Sequence, residues 1–348
     1  MKRKDIRRID LALQGGGSHG AFTWGALDRI LEDERIEIAG VSGTSAGAMN
    51  AVALAAGLMD GGRRGAREAL RRLWSEVGTA ARFSPLNASV LSAFFGNWTL
   101  GSSPLHLYLD LASRLFSPYQ FNPLDLNPLR DILKRAVDFE RVRGCDKVQL
   151  FIAATHVATG KLRIFRHGEL SAEAVLASAC LPLLFQAVEV DGEAYWDGGY
   201  MGNPSLLPLI TESPAHDLLL VQINPSLREK VPTRAREILD RIDEITFHGS
   251  LLKEMRAVAL MKKLIRDEGQ PGHHYREALF RQIDGLKVHR IEAETELARL
   301  GASSKLNAAP GLLAHLHRIG RAAADDWLQR NFTHLGRRST LDLFKEFL

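Results

Sequence analysis

Three short stretches rich in glycine hold the residues able to do chemistry. In Gly43-Thr44-Ser45-Ala46-Gly47 a serine has glycines two positions to either side, the spacing of a nucleophile elbow. There the serine sits on a tight strand-to-helix turn, and the glycines let flanking backbone approach closely. Such a serine attacks an ester carbonyl once a base takes its proton. Gly15-Gly16-Gly17-Ser18-His19-Gly20 precedes a helix, where unpaired N–H groups and the helix dipole hold a phosphate or a developing oxyanion. Asp197-Gly198-Gly199 supplies a carboxylate.

Each stretch also has a plainer reading. The elbow spacing alone arises by chance in roughly one chain of this length in ten, and its serine then only caps a helix. Asp-Gly is a common silent turn. Gly15-x-Gly17-x-x-Gly20 fits a dinucleotide fingerprint, with Glu37 near the offset of a ribose-binding acid. Glu37 leads straight into the serine turn, however, and acyl transfer uses both glycine turns whereas nucleotide binding uses one.

The elements that must position these residues are legible. Arg8–Gln14 reads as a strand entering the first turn, with a helix from Ala21 to about Asp33. Ile36–Val41 is a strand entering the elbow, followed by an alanine-rich helix from Ala46 to Leu58 that closes near Gly57, and Arg63–Val77 is an amphipathic helix. Two strand-turn-helix units in succession predict a parallel sheet with right-handed crossovers. Pro128 opens a helix through Val137. Lys147–Thr155 and Lys161–Phe165 pair through a turn at Gly160. Ser171–Ala179 is helical, and Val188–Trp196 is a hairpin that delivers Asp197 to its end. Asp217–Asn224 is a buried strand, Thr233–Asp267 helical, Leu286–Ala293 a late strand and Leu312–Arg330 a helix, while Gly269–His274 breaks the pattern.

Between Phe83 and Phe121, 8 of 39 residues are aromatic against 7% overall, which suggests an apolar cover over a pocket for greasy substrate or, equally, a satellite core. At 348 residues, 45% hydrophobic and 25% charged, the chain is globular and large enough for one big α/β domain or two modest ones. Net charge is +4, with acidic residues interspersed among the basic ones, so no nucleic-acid partner is expected. Cys145 and Cys180 are too few for a disulfide framework, and no apolar run reaches the roughly 18 residues of a membrane span. A cytoplasmic protein is expected, with peripheral membrane contact compatible. Neither H-E-x-x-H nor a calcium loop occurs, so no metal and no cofactor are expected. Arg228–Glu268 carries ten basic and eight acidic residues, too balanced for an electrostatic membrane anchor, and points to packing or homodimerisation through the C-terminal helices.

The three turns, in this order, resemble those of the patatin-like phospholipases, which have a Gly-Gly-Gly-x-x-Gly oxyanion turn, a Gly-x-Ser-x-Gly elbow and Asp-Gly-Gly. The resemblance spans roughly residues 8–224 and includes Asn50 and Ala177-Ser178-Ala179 to Pro182. It implies a three-layer α/β/α fold with a mostly parallel central sheet. It also implies a Ser45-Asp197 dyad without histidine, an oxyanion hole drawn from Gly15, Gly16, Gly17 and Ala46, and structural glycines at Gly20, Gly43, Gly47, Gly198 and Gly199. His19 stands where that family usually has Arg or Lys. Residues 1–225 are then a catalytic domain with an aromatic insert at about 83–127, and 226–348 a mainly helical extension packed on it. The expected substrate is a lipid or other ester. Rival readings are an intracellular polyester depolymerase of the same chemistry and a non-catalytic lipid-binding scaffold. A triad would need a histidine, and His156 and His289 are the candidates.

Overall fold

The computed structural model describes residues 6–83, 116–227, 231–268, 278–300, 304–305 and 307–348. Its centre is an eight-stranded sheet: β1 (Arg7–Leu13), β2 (Ile36–Gly43), β3 (Gln149–His156), β4 (Leu162–Arg166), β5 (Val188–Val190), β6 (Glu193–Asp197), β7 (Asp217–Val221) and β8 (Lys287–Ile291). The order is β5-β6-β3-β2-β1-β7-β8, with β4 also on β3. The run from β3 to β8 is parallel, while β4, β5 and β6 join by antiparallel pairing. The late strand thus belongs to the main sheet, beside β7.

Helices cover both faces. They include α1 (Gly20–Ile30), α2 (Ala46–Phe83), α3 (Pro128–Ala136), α4 (Ala172–Ser178), α5 (Ala235–Glu268) and α6 (Pro310–Asn331). Because side chains alternate along a strand, Ile9, Leu11 and Leu13 of β1 enter one core with α1, α2, α4 and α6, and Ala12 enters the other with Leu251, Met255 and Val258 of α5. The result is a three-layer α/β/α fold with helices from the C-terminal part on both faces. Among the described residues, no helix is long and apolar enough to cross a membrane.

One local boundary shifts. The span α2 consists of two helical arms, as expected, but the break between them falls at Gly61 and Gly62, whose backbone is non-helical, rather than near Gly57. Gly57 instead lets the two arms touch, since a Cβ there would lie 2.5 Å from both the Ala66 Cα and the Gly65 carbonyl. The aromatic insert falls largely outside the described residues. At its end, Ser117 caps the short helix Pro118–Phe121, and the Tyr119 hydroxyl accepts the Ala187 N–H at 3.2 Å.

Candidate active site

The serine turn follows the last residue of β2 and leads directly into α2. Ser45 has φ +54°, a left-handed conformation that a non-glycine residue adopts only when its surroundings impose it. Its N–H is held by the Ser178 hydroxyl at 2.9 Å, and the Gly47 N–H donates to the Thr44 carbonyl at 2.8 Å. Both flanking glycines are required by space. A Cβ at Gly43 would lie 2.7 Å from the Gly47 backbone, and one at Gly47 would overlap the Leu13 carbonyl of β1.

The first glycine turn leaves β1 next door. Gly17 is in the left-handed region at φ +57°, and the Lys305 carbonyl packs so closely over it that a Cβ would overlap. Gly20 allows α1 to meet α2, because a Cβ there would come within 2.9 Å of Trp74 and closer still to Ala46. Asn50 fastens this junction. Its amide donates to the Gly20 carbonyl at 3.0 Å and the Ala46 carbonyl at 2.9 Å, and its oxygen accepts the Trp74 indole N–H at 2.9 Å. Of the four backbone groups expected in the oxyanion hole, the Gly15 N–H is already engaged by Asn203 Oδ1 at 2.6 Å. Gly15 therefore anchors the turn, which leaves Gly16, Gly17 and Ala46 of the expected set. His19 is buried, with Nε2 2.7 Å from the Ser304 hydroxyl.

Asp197 ends β6, and its backbone is pinned on both sides: its N–H donates to the Cys180 carbonyl at 2.8 Å, and its carbonyl accepts the Thr155 hydroxyl at 2.8 Å. The carboxylate is 1% exposed. Burial raises its pKa from 3.8 to about 7, against the opposing pull of the Gly199 N–H and the Ser45 side chain. Oδ1 accepts the Gly199 N–H at 2.7 Å, whereas buried Oδ2 has no partner at full hydrogen-bonding geometry. Ser45 thus lies near enough to favour the charged form, short of a full bond to Oδ2. Such contacts commonly tighten only when substrate is bound. Burial and the nearby Asp197 charge also push the Cys180 thiol up to about 12, so that sulfur stays protonated.

The structure brings Ser45, the Gly15–Gly17 turn and Asp197 to one place, at or beside the C-terminal ends of β1, β2 and β6. The two candidate histidines lie elsewhere. His156 is held between the Thr159 hydroxyl at 2.8 Å and Glu193 at 2.9 Å, and His289 between the Thr340 hydroxyl at 3.0 Å and Asp217 at 2.9 Å, at the first position of β7. Among the described residues no imidazole is hydrogen-bonded to Ser45 or Asp197, and no group of three or more His, Cys, Asp or Glu is placed to hold a metal ion.

Sequence reasoning missed the polar residues behind the site. Gln14 accepts the N–H groups of Ile223 and Asn224, each at 2.9 Å, and lies 3.2 Å from His248 Nδ1; Asn224 donates to the Gly15 carbonyl at 2.8 Å. Burial, with Lys305, Arg241 and Arg290, lowers the His248 pKa to about 4, so the ring is neutral. The available signal was polar residues directly after apolar strands, at Gln14 and Asn224.

No protein of curated function matches the sequence. Among solved structures, VipD from Legionella pneumophila is similar at 16% identity and TM-score 0.33, covering 90% of this chain and 67% of that one. ExoU of the Pseudomonas aeruginosa type III secretion system, solved in complex with SpcU, is similar at 15% identity and TM-score 0.27, covering 98% and 76%. Residues 11–210, which contain all three glycine turns, match the family described as patatin-like phospholipase, and the chain belongs to that family.

Proposed function

We propose that the chain hydrolyses acyl esters of lipids through Ser45 and Asp197, without histidine, metal or cofactor. Ser45 Oγ attacks the ester carbonyl carbon as its proton passes to Asp197. The N–H groups of Gly16, Gly17 and Ala46 receive the negative charge that develops on the carbonyl oxygen. Collapse of this intermediate breaks the ester C–O bond, and the leaving alcohol takes the proton from Asp197. Water then attacks the acyl-serine, giving its proton to Asp197, and Ser45 is regenerated as the free acid leaves.

The observation that carries this reading is the buried carboxylate with a pKa of about 7 beside a serine held at φ +54°. A carboxylate at its ordinary pKa is a weak base, whereas one near the working pH combines the ionised state with useful basicity. The two cysteines are free and buried, which fits a reducing compartment.

The test is a fluorophosphonate probe with wild type and Ser45→Ala, followed by a panel of phospholipids, neutral esters and polyester with products identified by mass. Labelling of wild type alone, with release of fatty acid, supports the reading. Equal labelling of both proteins removes Ser45 as nucleophile, and release of hydroxyacids alone identifies a polyester substrate. Activity is expected to survive chelators.

A further inference from the structure

We infer that Asn203 is a positioning residue for this reaction: it holds Gly15 so that Gly16 and Gly17 face the oxyanion, and it ties that turn to the Asp197 loop. The inference rests on the reaction proposed above. Asn203 lies six positions beyond Asp197 and is fully buried. Its Oδ1 accepts the Gly15 N–H at 2.6 Å, and its Nδ2 donates to the Phe247 carbonyl of α5 at 3.0 Å and lies 3.5 Å from the Gly15 carbonyl. The amide has one workable orientation, since an N–H faces one end and carbonyl oxygens face the other.

The neighbouring bonds make this one side chain decisive. Asn224 holds the Gly15 carbonyl at 2.8 Å, so Asn203 and Asn224 between them fix both backbone polar groups of Gly15, one in each of its flanking peptide units. There is no slack around it, because a Cβ at Gly15 would lie 2.7 Å from the Thr44 carbonyl and 2.9 Å from Ser45 Cβ. The segment carrying Asn203 is also fastened to the serine strand. Thr44 Oγ1 donates to the Gly202 carbonyl at 2.6 Å, and Ser42 Oγ to the Ser205 carbonyl at 2.5 Å. On the far side, the Phe247 ring presses against Gly199 and lies 4.8 Å from the Tyr200 ring. Asn203 is therefore the point where the oxyanion turn, the base loop and α5 meet, and α5 lies outside the matched residues 11–210. Oxyanion donors work only within a few tenths of an ångström of their place, and misplacing a group by about 1 Å costs about 100-fold.

The experiment compares wild type with Asn203→Asp, which keeps an acceptor for Gly15 but sets an anion against two carbonyl oxygens. Asn203→Ser serves as a second variant. The readouts are kcat and KM on a soluble ester, affinity for a trifluoromethyl ketone that forms an oxyanion adduct on Ser45, affinity for an uncharged ether analogue, and thermal unfolding. Expected are a kcat lower by about 10–100-fold, KM within about threefold, ketone affinity reduced by the same factor as kcat, and unchanged ether binding. A folded variant with wild-type kcat, or a loss shared equally by ether binding, overturns the positioning role. Failure of both variants to fold also overturns it, since the residue is then structural. A wild type that neither hydrolyses esters nor binds the ketone rejects the underlying reaction instead.

Discussion

Replacing Asp197 with asparagine should damage catalysis and stabilise the fold at the same time. The amide keeps the side chain's shape and an oxygen for the Gly199 N–H, now accepted at 2.7 Å, but it takes no proton at neutral pH. Loss of a general base lowers kcat by about 10²–10⁴-fold. Stability moves the other way. The carboxyl pKa is 3.8 unperturbed and about 7 in the fold. Between these values the folded chain keeps a proton that the unfolded chain has released, so wild-type stability falls as pH rises, by about 1.4 kcal/mol per pH unit. Above about pH 7 this contribution is flat. The asparagine variant has no such slope, and its advantage over wild type should grow by about 2 kcal/mol between pH 5 and pH 7. Taking the difference cancels Asp10, also buried and raised to about 7, because it is common to both proteins. Urea denaturation at several pH values measures the difference, and an ester assay gives kcat. A stability difference independent of pH would refute the high-pKa carboxylate, and retained activity would refute its role as base.

Three further outcomes follow from the same geometry. The kcat/KM of wild type should rise tenfold per pH unit up to about pH 7 and then level, because Asp197 must be ionised to accept the serine proton; a profile flat from pH 5 to 8 would argue against it. Gly47→Ala drives a Cβ into the Leu13 carbonyl, a backbone atom of β1 that cannot swing aside, and should cost about 1–3 kcal/mol in urea denaturation while lowering kcat. His289→Ala should cost about 2–5 kcal/mol of stability by leaving a cavity and removing one hydrogen bond from buried Asp217, and His156→Ala, whose partner Glu193 is exposed, less than about 1 kcal/mol. Both should keep kcat within a few-fold of wild type, and a histidine variant as inactive as Asp197→Asn, in folded protein, would place that histidine in the mechanism.

The candidate site was legible where its residues lie close together in sequence. Gly43 and Gly47 stand out because backbone contact excludes any side chain there, and Asp197 because a hairpin ends in Asp-Gly-Gly. Strands showed as apolar runs closed by turn residues, down to the late strand β8. Gly57 misled because a glycine that ends a helix and one that admits a neighbouring backbone look alike in sequence. The framework behind the site was hidden for another reason. Asn203 and Gly15 are 188 positions apart, and Gln14 and His248 are 234 apart, so no short-range pattern pairs them. Gly15 read as an oxyanion donor because the resemblance places the whole Gly15-Gly16-Gly17 run in the oxyanion hole, and only its long-range partner shows that its N–H is engaged.

Helix α6 lies directly on α1 with almost nothing between the two backbones. A Cβ at Gly25 would overlap the His317 carbonyl, and one at Gly320 would overlap the Phe22 carbonyl. Arg29 pairs with Asp325 at 2.7 Å, Arg321 pairs with Asp28 and Glu32, and the Trp24 and His317 rings are 4.0 Å apart. Helix α1 grows out of the first glycine turn, yet its buried face is covered by residues made some 290 positions later, from Gly20 to Pro310. At about 5–20 residues per second, translation takes on the order of 15–60 s to cover that distance. From the moment Asp197 is made, the nascent chain holds both Ser45 and Asp197 but still lacks the helix that covers α1. A chain interrupted between β6 and α6 therefore leaves the ribosome with Ser45 and Asp197 present and α1 uncovered.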